Sequence, residues 1–168
     1  MKTVNDMVQR YYTSNDFSML RDRTKQDYQY FLRVMCKEFG DVKYDELTSK
    51  QAKHAYEDWV ARGISLANHV CTVSSIVFRY AIDMEYATIN PFANVKRKSA
   101  PQRKVVWTED DVRQFLDTAY STFEWRSIGL IVHMAYEWCQ RLGDMRLLTW
   151  DNFDFANRKL SLEQSKRR

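Results

Sequence analysis

Hydrophobic and polar positions follow a helical period over most of this chain. The second predicted helix shows the pattern best, because apolar residues recur at positions i, i+3, i+4, i+7 and i+11. These residues are Tyr28, Phe31, Leu32, Met35 and Phe39. We predict a helix over residues 18–39 that ends at Gly40, and a shorter helix over residues 3–13 before it.

Two more helices are predicted in the first half of the chain. Thr48 or the serine after it can cap a third helix that Gly63 terminates, and Ser65 can cap a fourth. The polar face of the fourth helix consists of Asn68, Thr72, Ser75 and Arg79. Asn90-Pro91 ends this helix, because the residue before a proline is disfavoured in the α region. The four helices predict a domain at residues 1–95.

A basic segment follows this domain. Residues 96–106 show no periodicity and contain Lys96-Arg97-Lys98 and Arg103-Lys104, five cations within nine residues and no acid among them. We predict an interdomain linker here that contacts nucleic acid. The alternative is a linker whose charges are simply solvated.

The second predicted domain covers residues 107–168 and begins with a helix that Thr108 caps. The remaining elements, two helices and then two strands of a small hairpin, are predicted over residues 124–138, 141–148, 150–155 and 159–163. The predicted fold class is therefore mainly α, with a helical first domain and a mostly helical α/β second domain.

Composition argues against several classes of protein. The formal net charge of +4 is a weak argument for nucleic acid, so the distribution of the charges matters more. Three widely spaced cysteines support neither a zinc site nor a disulfide framework, and we predict no metal and no cofactor. No apolar run approaches the length of a membrane span, and the first residues lack the apolar stretch of a signal peptide.

Two motifs in the second domain are the most specific features of the sequence. The first is Gln140-Arg141-Leu142-Gly143-Asp144, followed by Leu148-Thr149-Trp150-Asp151, and the second is Leu162-Glu163-Gln164-Ser165-Lys166. Together they resemble the surroundings of the first two cationic catalytic residues of the tyrosine recombinases, the phage integrase family. The resemblance covers nearly the whole chain. It implies a SAM-like core-binding domain of four or five helices, a basic linker and a truncated α/β catalytic domain.

The resemblance also implies roles for three residues in the cleavage of a phosphodiester. Arg141 would stabilise the negative charge that develops on the non-bridging oxygens, for which a planar guanidinium is well suited. Lys166 would protonate the leaving 5′ oxygen as a general acid. Asp144, three residues after Arg141, would orient its guanidinium.

The chain departs from the family's pattern in two respects. Cys139 stands where the family usually has glycine. The family also needs a His-x-x-Arg motif, a further His or Trp and a nucleophilic Tyr after the lysine, and nothing after Lys166 matches them. His54, His69 and His133 each lack an arginine at the third following position. We therefore expect no strand cleavage from these 168 residues alone.

Binding to double-stranded DNA is the activity that the residues favour most, because cations that neutralise phosphates supply much of the affinity of such proteins. The predicted contacts lie on the second and fourth helices and in the basic segment. They are Lys25, Arg33, Asn68, Thr72, Arg79, Lys96, Arg97, Lys98, Arg103 and Lys104. On the helices, an ordinary solvated face is the alternative.

The leading hypothesis is a phage or prophage site-specific integrase that binds the core of an attachment site. By resemblance, the full-length protein would assemble on DNA as a dimer or tetramer in the cytoplasm of a bacterial host, on its nucleoid. Two alternatives stay open. One is a naturally short recombinase remnant that regulates DNA sites without catalysis. The other is a helical adapter that binds proteins, for which no steep salt dependence of binding is expected.

Overall fold

Helices make up most of the structure, a computed structural model that describes residues 2–101, 104–162 and 164. Two compact units, Met1–Gln102 and Arg103–Arg168, divide the chain and are called unit 1 and unit 2 below. The described strands form one small antiparallel sheet. The prediction of a mainly α fold with a small hairpin is confirmed.

Unit 1 contains five helices in its described part. They are α1 (Val4–Tyr12), α2 (Asn15–Ser18), α3 (Asp22–Phe39), α4 (Ser49–Arg62) and α5 (Ile64–Asp83). Threonine capping boxes begin two of them. The hydroxyls of Thr3 and Thr48 accept bonds from the amides of Asp6 and Gln51, whose side chains accept in return from the threonine amides. The first and third predicted helices are thereby confirmed as α1 and α4.

Two predicted helix starts are wrong. The long second helix begins at Asp22 rather than at residue 18, because Ser14 caps the separate short helix α2 with its hydroxyl 3.2 Å from the amide nitrogen of Phe17. The fourth predicted helix begins at Ile64 and not after a serine cap. Gly63, with φ 148°, both ends α4 and precedes α5.

The end of α5 also comes earlier than predicted. The helix stops at Asp83, and Glu85 takes the left-handed conformation with φ 58°. The amide nitrogens of Glu85 and Tyr86 lie 2.9 and 2.7 Å from the carbonyl oxygens of Ile82 and Ala81, which is the bond pair of a Schellman cap. Backbone bonds therefore close this helix well before the Asn-Pro pair that was predicted to end it.

The core of unit 1 is built on aromatic rings around Phe92, which is 1% exposed. The centroid of its ring lies 5.7, 6.3 and 6.4 Å from the ring centroids of Phe78, Trp59 and Phe39. Asn90 fixes the approach to this residue, because its Nδ2 donates to a carbonyl oxygen of α5 at 2.9 Å and its Oδ1 accepts from the Phe92 amide at 3.0 Å. The chain after α5 is thus folded back onto the helices, which determines where the basic segment starts.

The described part of unit 2 contains three helices, two 3₁₀ turns and a hairpin. They are α6 (Glu109–Ser121), Phe123–Trp125, α7 (Arg126–Glu137), α8 (Leu142–Met145), Trp150–Asn152, β1 (Phe153–Asp154) and β2 (Lys159–Leu160). The strands pair Phe153 with Leu160 and Asp154 with Lys159. The helix predicted over residues 141–148 is only four residues long, and each strand only two, so these three predictions were too long.

Helix α6 begins at the predicted cap. The amide and hydroxyl of Thr108 both donate to the carboxylate of Asp111 at 2.8 Å, and these bonds lower the pKa of that carboxyl. Gly129 of α7 lies where α6 and α7 pack together. A Cβ there would come within 2.9 Å of the Cβ of Ala119, so the close approach of the two helices requires glycine. This packing positions α7, whose C-terminal end leads into the Arg141 turn.

Candidate nucleic-acid interface

The turn that presents Arg141 begins at the end of α7. Cys139 has φ 49°, in the left-handed region that favours glycine. The amide nitrogens of Cys139 and Gln140 lie 3.3 and 3.1 Å from the carbonyl oxygens of Tyr136 and Ala135, the bond pair of a second Schellman cap. Glycine adopts this conformation without a steric penalty because it has no Cβ, whereas Cys139 adopts it at a cost of about 1–2 kcal/mol.

Arg141 caps the short helix α8, and its carbonyl oxygen accepts from the amides of Asp144 at 2.9 Å and Met145 at 3.2 Å. Its guanidinium is on the surface, with the side chain 53% exposed, while the side chain of Asp144 is only 2% exposed. Nη1 of Arg141 lies 3.9 Å from Oδ2 of Asp144. The two side chains therefore form an ion pair, and the orienting role of Asp144 stays a prediction.

The second motif can be followed only in part. Lys166 and Arg103 lie outside the described residues, so their predicted roles stay predictions. Gln164 is described, and its Nε2 donates to Oε1 of Gln140 at 3.3 Å. This bond connects the second motif to the residue next to Arg141 across 24 positions of sequence.

A ring of three hydrogen bonds fixes the basic segment on unit 1. The Lys98 amide donates to the Tyr56 hydroxyl at 2.6 Å, that hydroxyl donates to Oδ1 of Asn68 at 2.8 Å, and Nδ2 of Asn68 donates to the Lys98 carbonyl oxygen at 2.9 Å. Tyr56 belongs to α4 and is 1% exposed, and Asn68 belongs to α5. We call these bonds the Lys98 tether. They hold the backbone of the segment against two helices of the core.

The three cations around the tether differ in their protein partners. The Lys98 ammonium forms an ion pair with Glu57. Burial raises the pKa of the Cys71 thiol, and a hydrogen bond with Arg97 opposes that shift. Lys96 is exposed and forms no ion pair within the described part of the chain. Of these three cations, Lys96 is therefore the one most available to a phosphate.

The predicted contacts on the helices also fall into two groups. Arg33 on α3 and Arg79 on α5 are exposed, and so is Lys104 at the start of unit 2. Lys25 is half-buried, with Nζ 3.8 Å from a carboxylate oxygen one turn earlier. Asn68 is engaged in the tether, and Oγ1 of Thr72 donates to the Asn68 carbonyl oxygen at 2.7 Å. The structure thus gives Asn68 a positioning role that its sequence context did not indicate.

The sequence interpretation missed part of this surface. Lys50, Lys53 and His54 share one face of α4 and line a groove together with Lys96. The available signal was the absence of acidic residues from the first turn of α4, where helices favour them. Tyr56 was missed as well, and no local pattern points to it because its partner amide lies 42 residues away.

The described residues contain no cluster of three or more His, Cys, Asp or Glu side chains that could hold a metal ion. The three cysteines are free thiols. Within the same described ranges, none of the helices combines the length and the apolar character that crossing a membrane takes.

Solved structures of DNA-bound integrases have a similar fold. A lambda integrase dimer bound to a COC' core site matches with a TM-score of 0.84 and 22% identity, over 98% of this chain and 46% of that chain. A lambda integrase tetramer bound to a Holliday junction gives the same score and identity, over 98% and 48%. The Tn1549 transposon integrase in complex with circular intermediate DNA matches with a TM-score of 0.78 and 18% identity, over 94% and 53%.

The chain therefore spans about half the length of the integrase chains that it matches. No protein-family model matches the sequence, and no curated protein does. At these identities the likeness shows the fold alone. In fold, the resemblance to the tyrosine recombinases that the two motifs indicated is confirmed.

Proposed function

We propose that this chain is the DNA-binding part of a phage or prophage site-specific integrase and carries two of its cationic catalytic residues. The observation that supports the proposal best is the Lys98 tether, which holds a run of cations on the surface of unit 1. Cations that are fixed before binding lose less conformational freedom when they meet phosphates. A linker whose charges serve only solvation has no need of this restraint.

In this proposal, unit 1 binds duplex DNA through the backbone phosphates. Lys96 and Arg97 in the segment and the exposed Arg33 and Arg79 on α3 and α5 supply the charge. Each phosphate that they neutralise releases condensed counterions, so the affinity should fall as the salt concentration rises. Contacts of this kind set the position and orientation of the protein on DNA without reading the bases.

The catalytic part of the proposal rests on Arg141, Asp144 and Lys166. The Arg141 guanidinium would bind the non-bridging oxygens of the scissile phosphate while the Asp144 carboxylate, 3.9 Å away, restrains it. One donor aimed at developing charge is worth roughly 3–4 kcal/mol in comparable sites. The bond between Gln164 and Gln140 joins the second motif to the residue next to Arg141. The role of Lys166 as general acid is proposed from the resemblance alone.

The family's His-x-x-Arg motif has no match in these 168 residues. We therefore propose that they bind DNA without cleaving it, and that the full-length protein assembles on the core of an attachment site as a dimer or tetramer. The lambda integrase structures that match the chain include a dimer and a tetramer on DNA. The proposed location is the cytoplasm of a bacterial host, on its nucleoid.

A titration of the chain with duplex DNA at two salt concentrations tests the binding part of the proposal. The logarithm of the binding constant should fall linearly with the logarithm of the salt concentration, by about 0.9 per neutralised phosphate. Arg97→Ala combined with Lys98→Ala should weaken binding to every sequence and flatten this slope. Undetectable binding, or an affinity that salt does not change, would reject the proposal in favour of a protein-binding adapter.

A suicide-substrate assay tests the catalytic part. In a full-length protein that contains the remaining motifs, Arg141→Ala should abolish the covalent protein–DNA adduct. Turnover at the wild-type rate in that variant would remove Arg141 from the site. A covalent adduct formed by the 168-residue chain itself would contradict the proposal that these residues bind DNA without cleaving it.

A further inference from the structure

A groove of about 460 Å³ lies on α4 beside the basic segment, and the contacts proposed so far include only one of its lining residues. The lining residues that matter here are Lys50, Lys53, His54, Tyr56, Val95 and Lys96. All of them belong to unit 1. We call this feature the α4 groove.

The rim of the α4 groove is cationic. Lys50 and Lys53 are three residues apart on one face of α4, and Lys96 comes from the chain that folds back after α5. All three side chains are exposed, and none forms an ion pair with any of the residues that the structure describes. Glu57 also lines the groove, but its charge is offset by its ion pair with Lys98. The groove therefore has an uncompensated positive charge.

The position of the two lysines on α4 strengthens this potential. Lys50 lies in the first turn of the helix, where the free amide groups and the helix dipole already favour anions, and Lys53 lies one turn further on. The first turn of α4 holds no acidic residue. Helix α6, which begins with the same kind of threonine cap, has three acids in its first turn: Glu109, Asp110 and Asp111. The arrangement in α4 is unfavourable for the helix alone, and an anionic ligand would offset it.

The floor of the groove is apolar and held in place. Tyr56 is 1% exposed and Val95 is 8% exposed, so both pack into the core of unit 1. Tyr56 is also the centre of the Lys98 tether, which fixes the chain that carries Lys96. A sugar–phosphate backbone presents an apolar sugar face together with its phosphates, and so it matches both the floor and the rim. A free phosphate would use the rim alone.

We propose that the α4 groove binds the sugar–phosphate backbone of DNA, with Lys50 and Lys53 on phosphates adjacent to the one that Lys96 contacts. This inference rests on the proposed function and extends the DNA-binding surface from α3, α5 and the basic segment onto α4. It assigns a ligand to cations that the two recombinase motifs do not involve.

The test compares the salt dependence of duplex binding between the wild-type chain and two charge-matched double variants. Lys50→Gln with Lys53→Gln should reduce the slope of log K against log salt by about 2, because each lost phosphate contact removes about 0.9. Lys37→Gln with Arg62→Gln removes the same charge from exposed positions outside the groove, and the slope should stay at the wild-type value. Thermal unfolding should change only slightly in both variants. The Lys50 and Lys53 variant should be a little more stable because it removes cations from the start of α4, and the control a little less stable because Lys37 and Arg62 lie in the last turns of α3 and α4.

A third variant, Lys50→Arg with Lys53→Arg, keeps the charge and should keep the wild-type slope. If the glutamine variant has the wild-type slope while the wild-type chain binds DNA, the groove assignment is wrong and the proposed function stands. If the wild-type chain shows no salt-dependent binding, the proposed function itself fails.

In an NMR titration, amide shifts of Lys50 and Lys53 should respond to duplex DNA and not to inorganic phosphate. Equal responses would reassign the groove to a small anion.

Discussion

Units 1 and 2 bury their apolar side chains to very different extents. Unit 1 has a continuous core across α1 to α5, in which Phe92 and Trp59 are each 1% exposed. In the described part of unit 2, the buried hydrophobic residues are Val112, Ala119 and Met145. Phe123 and Trp150 in the same unit are each 78% exposed.

This difference in the burial of apolar side chains determines how each unit holds its candidate functional residues. In unit 1, Tyr56 belongs to the core and to the Lys98 tether at once, so the packing of the helices fixes the basic segment. In unit 2, the turn before Arg141 depends on the helix-end bonds of Cys139 and on the contact with Asp144. We therefore expect unit 1 to present a fixed DNA-binding surface and unit 2 to respond more strongly to local changes in its backbone.

The largest effect is expected from the core of unit 1. Phe92→Ala should lower the free energy of unfolding by about 3–5 kcal/mol, because it empties the centre of the aromatic cluster. Phe123→Ala in unit 2 should cost less than about 1 kcal/mol, since that ring is exposed and contacts mainly the guanidinium of Arg126 at 5.7 Å. Denaturant unfolding followed by circular dichroism measures both. An equal loss of unfolding free energy in the two variants would contradict the difference in core packing between the units.

A smaller effect is expected from the tether. Tyr56→Phe keeps the ring in the core and removes the hydroxyl, so the basic segment loses two of the three bonds of the tether and keeps the one between Asn68 and the Lys98 carbonyl oxygen. Affinity for duplex DNA should fall by about 1 kcal/mol, a factor of about five, while the salt slope stays unchanged because no phosphate contact is lost. Tyr11→Phe, at another buried tyrosine of unit 1, is the matched control and should bind like wild type. A changed slope in Tyr56→Phe would mean that the hydroxyl contacts DNA itself.

The smallest effect concerns the left-handed residues at the two helix ends. Cys139→Gly should raise the stability of unit 2 by up to about 1 kcal/mol. Glycine removes a backbone strain of about 1–2 kcal/mol, but it loses about 0.5–1 kcal/mol more conformational entropy on folding. Glu85→Gly should do the same for unit 1, and Cys139→Ala should bring no gain. Amide hydrogen exchange of α7 and α5 reports each change. Destabilisation by Cys139→Gly would exclude the left-handed turn.

Several helices were predictable because their signals lie within one turn of sequence. Thr3, Thr48 and Thr108 each cap a helix through a bond to the third residue after the cap, and Gly63 ends α4. The end of α5 was not predictable in this way. It depends on backbone bonds around Glu85, a residue type that does not favour the left-handed conformation.

In the candidate site too, contacts between neighbours in sequence were predictable, and contacts that depend on the packing of distant helices were not. The approach of Asp144 to Arg141 follows from a spacing of three residues at the start of α8, so the sequence was sufficient to predict it. The Lys98 tether joins residues that are 30 and 42 positions apart, and only the packing of α4 against α5 brings them together. The α4 groove was missed for the same reason, since Lys96 reaches it from outside the helix.

Amide hydrogen exchange of the 168-residue chain, with and without duplex DNA, tests most directly whether unit 1 supplies the DNA-binding surface. In the free chain, the Lys98 amide should already exchange slowly because the Tyr56 hydroxyl accepts its hydrogen bond. DNA should add protection to residues 96–98 and to the peptides around Arg33 and Arg79. Protection confined to unit 2, or no change on adding DNA, would contradict the assignment of the interface to unit 1.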